Sequence, residues 1–383
     1  MQEISVSREE SGQRLDKYLR RRLPLATSSF IYKMLRKKNI TLQGRKADGS
    51  EKVETGDIIR LFLSDETIEK FSRQRDDEGT RREADEGLEA YRKLQPLLGR
   101  SPVIYEDDNI LAVRKPSGVL SQKAKASDLS MNEWLRGYLA SKNRVSEEET
   151  EGKAVFRPSV CNRLDRNTGG ILLCAKTLPG SRALSAVIRD RMIRKTYTMV
   201  VHGQIREPGI IENELIKDRE LNRVQVADPV QNSVPADGNT ENRKHSRRAV
   251  TVYRPVQIGK KVTIVEADLI TGRSHQLRVH MASIGHPIVS DPKYGDQALD
   301  RALLNRLEKV QKDRVLTEVR EKGTGRKSRM IHREQLLWCS QVSFPESFSG
   351  LSDEGEMSEV LACLAGRGFE CPHPGWWMDL LRV

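Results

Sequence analysis

The stretch Cys161-Asn-Arg-Leu-Asp-Arg-Asn-Thr-Gly-Gly-Ile-Leu-Leu-Cys-Ala-Lys176 joins a charged, turn-forming segment to a short apolar run. The apolar residues 171–175 predict a buried strand, and the two glycines before them mark the turn into it. Asp165 therefore lies just before a buried strand. We expect its neighbours Arg163 and Arg166 to keep the carboxylate ionised and to orient it.

An ionised carboxylate at the mouth of a cleft can act as a nucleophile or as a general base. The same residues are also compatible with an ordinary surface ion pair between Asp165 and its two arginines, which is the more frequent meaning of such a pattern. This segment by itself leaves both interpretations open.

The chain as a whole is basic, with 66 Lys+Arg against 54 Asp+Glu and a net charge of +12. This excess suggests a polyanionic partner such as RNA, although many basic proteins bind no nucleic acid. No apolar run approaches the ~18 residues of a membrane span, and the N-terminus lacks a signal-peptide pattern, so we expect no membrane association. The five cysteines form no C-x-x-C pair, which indicates reduced thiols in a cytoplasmic protein.

The positive charge is densest near the N-terminus, where residues 14–60 contain 13 Lys/Arg and 5 Asp/Glu. Two helices are predicted there, over residues 14–22 and 28–38, because apolar side chains recur on one face of each: Leu15, Tyr18, Leu19, Phe30, Ile31, Met34 and Leu35. Thr27 or Ser28 can cap the second helix, and short strands follow at 40–42 and 56–62. We expect the basic outer faces to dock RNA through Lys17, Arg20, Arg21, Lys33, Arg36 and Lys37.

Charge runs of this kind usually only solvate a helix, and that interpretation stays open for this segment. Positive and negative side chains do not alternate along either helix, and this pattern favours RNA binding. Residues 12–63 also resemble the αL-type RNA-binding module that precedes several RNA-modifying enzymes and occurs in a small-subunit ribosomal protein.

Composition divides the chain into three parts: an RNA-binding module at 1–63, a charged linker at 64–100 and a main domain at 101–383. The linker has 8 basic and 10 acidic side chains, and a solvated helix is predicted around residues 87–98. The sequence Asp107-Asp-Asn109 predicts a hairpin turn between two strands. Residues 141–151 and 228–243 are interpreted as surface insertions, residues 297–320 as an amphipathic helix, and residues 369–378 as a tail packed on the core.

Four segments resemble, in the right order, the motifs of the RluA-type pseudouridine synthases. They are Lys115-Pro-Ser-Gly118, Arg163-Leu-Asp165, Arg194-Lys-Thr-Tyr197, and Thr271-Gly-Arg-Ser-His-Gln-Leu-Arg278 followed by Gly285-His-Pro-Ile-Val-Ser-Asp-Pro-Lys-Tyr-Gly295. A chance match of all four is remote. The chain is therefore identified as similar to this family over residues 102–345.

The resemblance implies roles for individual residues. Asp165 would be the catalytic aspartate, Tyr197 would stack on the target uracil, and Arg278 would form the ion pair that holds Asp165. Stacking of a base on an aromatic ring is worth about 1–3 kcal/mol, and a planar arginine fixes carboxylate geometry. We expect the remaining polar residues of the motifs to bind substrate: Lys115, Arg163, Arg166, Arg273, His275 and Gln276.

The resemblance also implies an α+β fold. A small αL-type domain comes first in the chain, and the main domain that follows contains a mixed, largely antiparallel sheet. The implied reaction is isomerisation of uridine to pseudouridine in RNA, on a base flipped into the pocket. No cofactor is implied, because the reaction needs no redox change, group donor or energy input. We expect a monomer without an obligate protein partner.

The order of an αL-type module and an RluA-type domain resembles the synthases that act on large-subunit ribosomal RNA. The alternatives are a transfer-RNA pseudouridine synthase and a non-catalytic ribosome-assembly factor that binds RNA. The presence of Asp165, Tyr197 and Arg278 together favours an enzyme. The chain departs from the family pattern at three positions, where Asn162, Gly169 and Ser290 replace the frequent His, Ser and Gly. These departures concern the fine geometry of the site and the choice of target uridine.

The histidines His275, His280 and His286 raise the hypothesis of a metal site. Their H-x₄-H spacing, without a cysteine or an adjacent glutamate, is unlike the H-E-x-x-H zinc motif. We therefore interpret them as structural or RNA-contacting residues and expect no metal.

Overall fold

A computed structural model describes residues 2–6, 10–72, 77–143, 156–218, 223–227, 246–322, 334–349, 351 and 359–383. The chain divides into two compact units. The first comprises Met1–Arg92, Glu133–Arg157 and Thr177–Pro179, and the second comprises Lys93–Asn132, Pro158–Lys176 and Gly180–Val383.

The first unit begins with two helices and a small sheet: β1 (Gln2–Ser5), α1 (Leu15–Arg22), α2 (Ser28–Arg36), β2 (Ile40–Leu42), β3 (Arg45–Lys46) and β4 (Ile58–Leu61). The strands pair antiparallel in the order β1-β4-β2-β3. The helix cap is Thr27, whose hydroxyl accepts a hydrogen bond from the Phe30 backbone N–H at 3.2 Å. The predicted helices and strands are thus confirmed to within a few residues.

The two helices bury the faces that their apolar spacing indicates. Leu15, Leu19, Ile31 and Leu35 are at most 1% exposed, and they belong to one apolar core with the sheet. All six basic residues predicted to dock RNA are exposed: Lys17, Arg20, Arg21, Lys33, Arg36 and Lys37. RNA docking through them stays a prediction.

The segment predicted as a charged linker is mostly helical, with α3 (Asp65–Ser72) and α4 (Asp77–Leu98). The helix predicted at 87–98 is present but is not solvated on every side. Its Tyr91 ring packs against Trp134 and Tyr138 of α5 (Met131–Asn143), with ring centroids 6.1 and 6.3 Å apart. The local composition could not reveal these partners, because they lie more than forty residues further along the chain.

The rest of the chain contains a large sheet with helices against it. Its elements are β5 (Val103–Glu106), β6 (Ile110–Lys115), β7 (Ser159–Val160), β8 (Gly169–Ala175), α6 (Leu178–Arg189), β9 (Arg194–His202), β10 (Gly209–Asp218), β11 (Arg223–Val226), β12 (Arg247–Ile258), β13 (Val262–Leu269), α7 (Gln276–Ser283), α8 (Gln297–Lys322), β14 (Leu337–Ser343), β15 (Gly368–Glu370) and α9 (Trp377–Leu380).

The strands of this sheet follow the order β11-β10-β12-β13-β9-β14-β8-β6-β5, with β7 on β8 and β15 on β14. Among the strand pairs of the described residues, only β8 and β14 run parallel. The predicted α+β fold with a largely antiparallel sheet is confirmed. The predicted hairpin joins β5 and β6, where one Asp107 carboxylate oxygen accepts hydrogen bonds from the N–H groups of Asn109 and Ile110 at 2.8 and 2.7 Å.

The two glycines before the apolar run allow β14 to lie close beside β8. A Cβ atom on Gly169 would be 2.0 Å from the Trp338 ring, and one on Gly170 would be 2.2 Å from the Cys339 carbonyl oxygen. Gly170 also has a φ of +110°, which residues with a side chain rarely adopt. The glycines thus fix the point at which the loop carrying Asp165 enters the sheet.

Most of the two predicted insertions lies outside the described residues. The amphipathic helix predicted at 297–320 is confirmed as α8, which buries Leu303, Leu304 and Leu307. The C-terminal tail packs on the core through Phe369 and Trp377, at most 5% exposed. In the ranges that the structure describes, no helix is long and apolar enough to cross a membrane.

We predict that Gly170→Ala lowers the free energy of unfolding by about 1–3 kcal/mol, because the added methyl group would overlap the β14 backbone. Urea denaturation of the purified variant measures this. Gly375→Ala is the matched control, since a Cβ there meets nothing within 4 Å. Equal stability of the two variants would contradict the close β8–β14 approach.

Candidate active site

Asp165 lies in the loop between β7 and β8, and its side chain is 36% exposed. Three side chains of residues 115–121 donate hydrogen bonds to backbone carbonyls around it: Lys115 Nζ to Arg166 (3.1 Å), Ser117 Oγ to Asn167 (2.8 Å) and Ser121 Oγ to Leu164 (2.9 Å). The Leu164 N–H in turn donates to Ser121 Oγ at 3.0 Å. The backbone on both sides of Asp165 is therefore fixed while its carboxylate stays accessible.

Arg278 of α7, 113 positions further along the chain, binds this carboxylate. Its Nη1 donates to Asp165 Oδ2 at 3.0 Å, and the Arg278 side chain is only 6% exposed. The contact predicted from the family resemblance is present. An arginine that is itself buried and held gives the carboxylate a defined orientation.

Asp165 pairs with Arg278 and not with its neighbours in sequence. Arg163 is exposed, and Arg166 Nη2 lies 3.8 Å from Asp128 Oδ1. The expectation that Arg163 and Arg166 orient the carboxylate is therefore wrong, because the partner of Asp165 is Arg278 and the partner of Arg166 is Asp128. Their role in substrate binding stays a prediction.

Tyr197 lies in the middle of β9 and is 7% exposed. Burial raises the pKa of its phenol well above the ordinary value, and the nearby Cys339 and Asp165 add to the shift. The phenol is therefore protonated at neutral pH. Stacking of this ring on a uracil base stays a prediction.

Lys115, which the sequence predicts to bind substrate, is buried behind the Asp165 loop, and its contact with substrate stays a prediction. The residue is 0% exposed, and its ammonium donates to the carbonyl oxygens of Pro116 and Arg166 at 3.0 and 3.1 Å. Burial lowers the pKa of Lys115 to about 7, although the Asp165 charge opposes that shift. Lys115 thus holds the Asp165 loop from inside the fold.

Gln276, which the sequence predicts to bind substrate, makes its hydrogen bonds within the protein, and its contact with substrate stays a prediction. It is 2% exposed, and its amide makes four hydrogen bonds within the protein. The amide oxygen accepts from Thr271 Oγ1 and the Arg273 N–H, and the amide nitrogen donates to the Val250 carbonyl and Thr251 Oγ1. These bonds exhaust its hydrogen-bonding capacity, so Gln276 fixes the turn that leads into α7.

His275 and Arg273 remain candidates for substrate contact. His275 Nε2 lies 3.8 Å from Asp165 Oδ2, and its Nδ1 lies 2.9 Å from the Tyr294 hydroxyl. Burial lowers the pKa of His275, although Asp165 opposes this, and the residue has an unusual φ of +54°. Arg273 is half-buried and donates from Nε to the Arg248 carbonyl at 3.1 Å.

The described residues contain no cluster of three or more His, Cys, Asp or Glu side chains that could hold a metal ion. His280 is 0% exposed, with Nδ1 2.9 Å from Thr251 Oγ1, and His286 Nδ1 lies 2.8 Å from the His202 carbonyl. Both have structural partners in the protein.

Two further residues, Asp291 and Tyr294, belong to the site and were not predicted from the sequence. Asp291 binds Arg278 through two hydrogen bonds of 2.7 Å, and the Tyr294 ring lies 5.0 Å from the Arg278 guanidinium. Both belong to the segment Asp-Pro-Lys-Tyr-Gly at 291–295. An aspartate followed by proline is a turn signal that the sequence does offer. Their contact with Arg278 had no local signal.

Comparison with known proteins gives consistent results for both parts of the chain. Residues 109–283 match the family described as RNA pseudouridylate synthase, and residues 13–59 match the S4 domain. Ribosomal large subunit pseudouridine synthase C of Rickettsia felis is 32% identical over 292 residues, covering 75% of this chain and 83% of the relative. The protein of the same name from Rickettsia bellii is 33% identical, covering 75% and 84%.

Among solved structures, human RNA pseudouridylate synthase domain containing 4 is 18% identical. The match covers 77% of this chain and 95% of that structure, with a TM-score of 0.47.

The buried His280 predicts a pH dependence of stability. Burial lowers the pKa of His280 to about 4 in the folded protein. The unfolded chain binds a proton at this histidine below pH ~6.5, whereas the folded protein binds it only near pH ~4. Its contribution to stability is complete above pH ~6.5 and is lost as the pH falls towards 4.

We expect the stability difference between the wild type and His280→Asn to shrink by about 3 kcal/mol between pH 7 and pH 4. Denaturant unfolding at several pH values measures it. Parallel pH curves for the two proteins would contradict the assignment.

Proposed function

The chain belongs to the RNA pseudouridylate synthase family, and we propose that it converts specific uridines of large-subunit ribosomal RNA to pseudouridine. The relatives from two Rickettsia species carry the name ribosomal large subunit pseudouridine synthase C, and each match covers more than four fifths of the relative's length. The proposed substrate also implies action where ribosomes are assembled, which we take to be the cytoplasm. We further propose that the enzyme acts as a monomer.

The observation that carries the assignment of the site is the 3.0 Å ion pair between Arg278 and the accessible carboxylate of Asp165. Isomerisation breaks the bond from uracil N1 to ribose C1′, turns the base and forms a bond from C5 to C1′. The proton on C5 leaves, and N1 gains one. Asp165 acts on the sugar, either by attacking it or by removing a sugar proton.

The remaining residues of the site position Asp165 and the base. Lys115 and Ser121 fix the loop backbone, and Arg278 fixes the carboxylate. The protonated Tyr197 provides an aromatic surface for the flipped uracil, whose removal from the RNA stack costs a few kcal/mol.

The basic face of the S4 domain would hold the RNA. Six exposed Lys and Arg side chains lie on α1 and α2 or directly after α2: Lys17, Arg20, Arg21, Lys33, Arg36 and Lys37. Such side chains bind phosphates without reading sequence and release counterions. Arg20 also lies 3.6 Å from Asp16, so its charge is shared with that carboxylate.

We predict that Asp165→Asn lowers the rate of pseudouridine formation roughly 10⁴-fold or more, because the amide can neither attack the sugar nor take a proton. Pseudouridines are mapped in ribosomal and transfer RNA from cells lacking the protein, and then after adding back each variant. The control variant is Glu106→Gln, because Glu106 lies on β5 opposite Leu111 of β6 and pairs with Lys176 at 3.0 Å, away from Asp165. Both the wild type and this control should restore the missing modification. Its return with Asp165→Asn would refute the catalytic assignment, and a site missing only from transfer RNA would refute the substrate.

A second prediction concerns the S4 domain. Replacing Lys33 and Arg36 by Gln should weaken RNA binding and reduce the slope of log K against log salt by about one for each phosphate that the variant no longer neutralises. Arg306 and Lys309, exposed on α8, are the matched control pair. Equal affinities and slopes for the two double variants would contradict RNA docking through α2.

A further inference from the structure

Asp291 is a buried carboxylate directly behind the ion pair of the site. Its side chain is 0% exposed, and it accepts hydrogen bonds from Arg278 Nε and Nη2, both at 2.7 Å. We propose that Asp291 is a positioning residue for pseudouridine formation, because it fixes the Arg278 guanidinium so that Nη1 points at Asp165. The proposal rests on the proposed function of Asp165.

The geometry of the guanidinium makes this effect direct. The group is planar and rigid, so a bidentate contact on the Nε–Nη2 edge also fixes the direction of Nη1. Nη1 is the nitrogen that binds Asp165 Oδ2, at 3.0 Å. The guanidinium carbon also lies over the Tyr294 ring, 5.0 Å from the ring centroid. Three contacts therefore determine where Asp165 is held.

The charges point to the same role. One arginine lies between two carboxylates, and Asp291 makes two of the three hydrogen bonds to it. Asp291 thus balances the positive charge of Arg278 inside the fold, where an unpaired charge is costly. Asp165 is left with one hydrogen bond from Arg278 and with a partly exposed carboxylate that is available for chemistry.

Asp291 is itself fixed by the turn that it begins. Its Oδ1 accepts from the N–H groups of Lys293 and Tyr294 at 2.9 and 3.1 Å, and its carbonyl accepts from the Gly295 N–H at 3.0 Å. A purely structural explanation would assign Asp291 to this turn alone. The two roles differ in the atoms they need, since the turn bonds go to Oδ1 alone, whereas Oδ2 receives only Arg278 Nε.

Asp291→Asn separates the two roles. An asparagine keeps an oxygen at Oδ1 for the turn but places an NH₂ donor opposite the Arg278 Nε–H donor. We expect a folded protein with unchanged RNA affinity and a single-turnover rate about 100-fold lower, the scale of a misplacement of about 1 Å in a catalytic group. Glu106→Gln serves as the control and should keep the wild-type rate. A folded Asp291→Asn variant with the wild-type rate would overturn the proposal.

Arg278→Met provides a second test that does not depend on the folding of Asp291→Asn. This change leaves Asp291 buried without its cation, so the melting temperature should fall. Adding Asp291→Asn should restore the melting temperature without restoring the rate, and the double variant should be as slow as Arg278→Met alone. Rate reductions that multiply in the double variant would show that Asp291 acts independently of Arg278, which would overturn the proposal.

Asp165→Asn, measured in the same assay, distinguishes this proposal from the proposed function. If Asp165→Asn turns over as fast as the wild type, the assignment of Asp165 is wrong. If Asp165→Asn is inactive while Asp291→Asn is fully active, the assignment of Asp165 stands and only the positioning role of Asp291 is wrong.

Discussion

The ion pair between Arg278 and Asp165 is the interaction on which the rest of the site depends. It joins residues 113 positions apart, one on α7 and one in the loop before β8. Neither element could hold the carboxylate alone, because a partly exposed aspartate in a loop samples several rotamers. The large sheet brings the two elements together, and the Gly169–Gly170 pair fixes where the loop enters it.

Much of the polar character of the family motifs serves the fold around this ion pair. Lys115 and Gln276 are buried, and their donors and acceptors are used by backbone and side-chain partners. A buried polar group needs such partners, because leaving it without them costs about 1–3 kcal/mol. A residue type that suggests substrate binding in the sequence can therefore act one layer behind the substrate, by holding the residue that reacts.

Charge and chemistry are divided between the two parts of the chain. The S4 domain concentrates exposed Lys and Arg on two helix faces, whereas the synthase domain contributes a small set of groups around one carboxylate. Phosphate contacts give affinity without sequence information. Under the proposed function, the residues around Asp165 would be the ones that meet the target uridine.

The sequence by itself determined the elements whose pattern is local. The apolar run after Gly170 forms β8, the spacing of Leu15 and Leu19 buries one face of α1, and the motif match identified Asp165. The family resemblance already predicted the ion pair between Arg278 and Asp165. Only the tertiary structure decided that Arg163 takes no part in it and that Asp291 lies behind Arg278. Periodicity fixes which face of an element is buried, but the partners of a buried polar group come from strand pairings between distant parts of the chain.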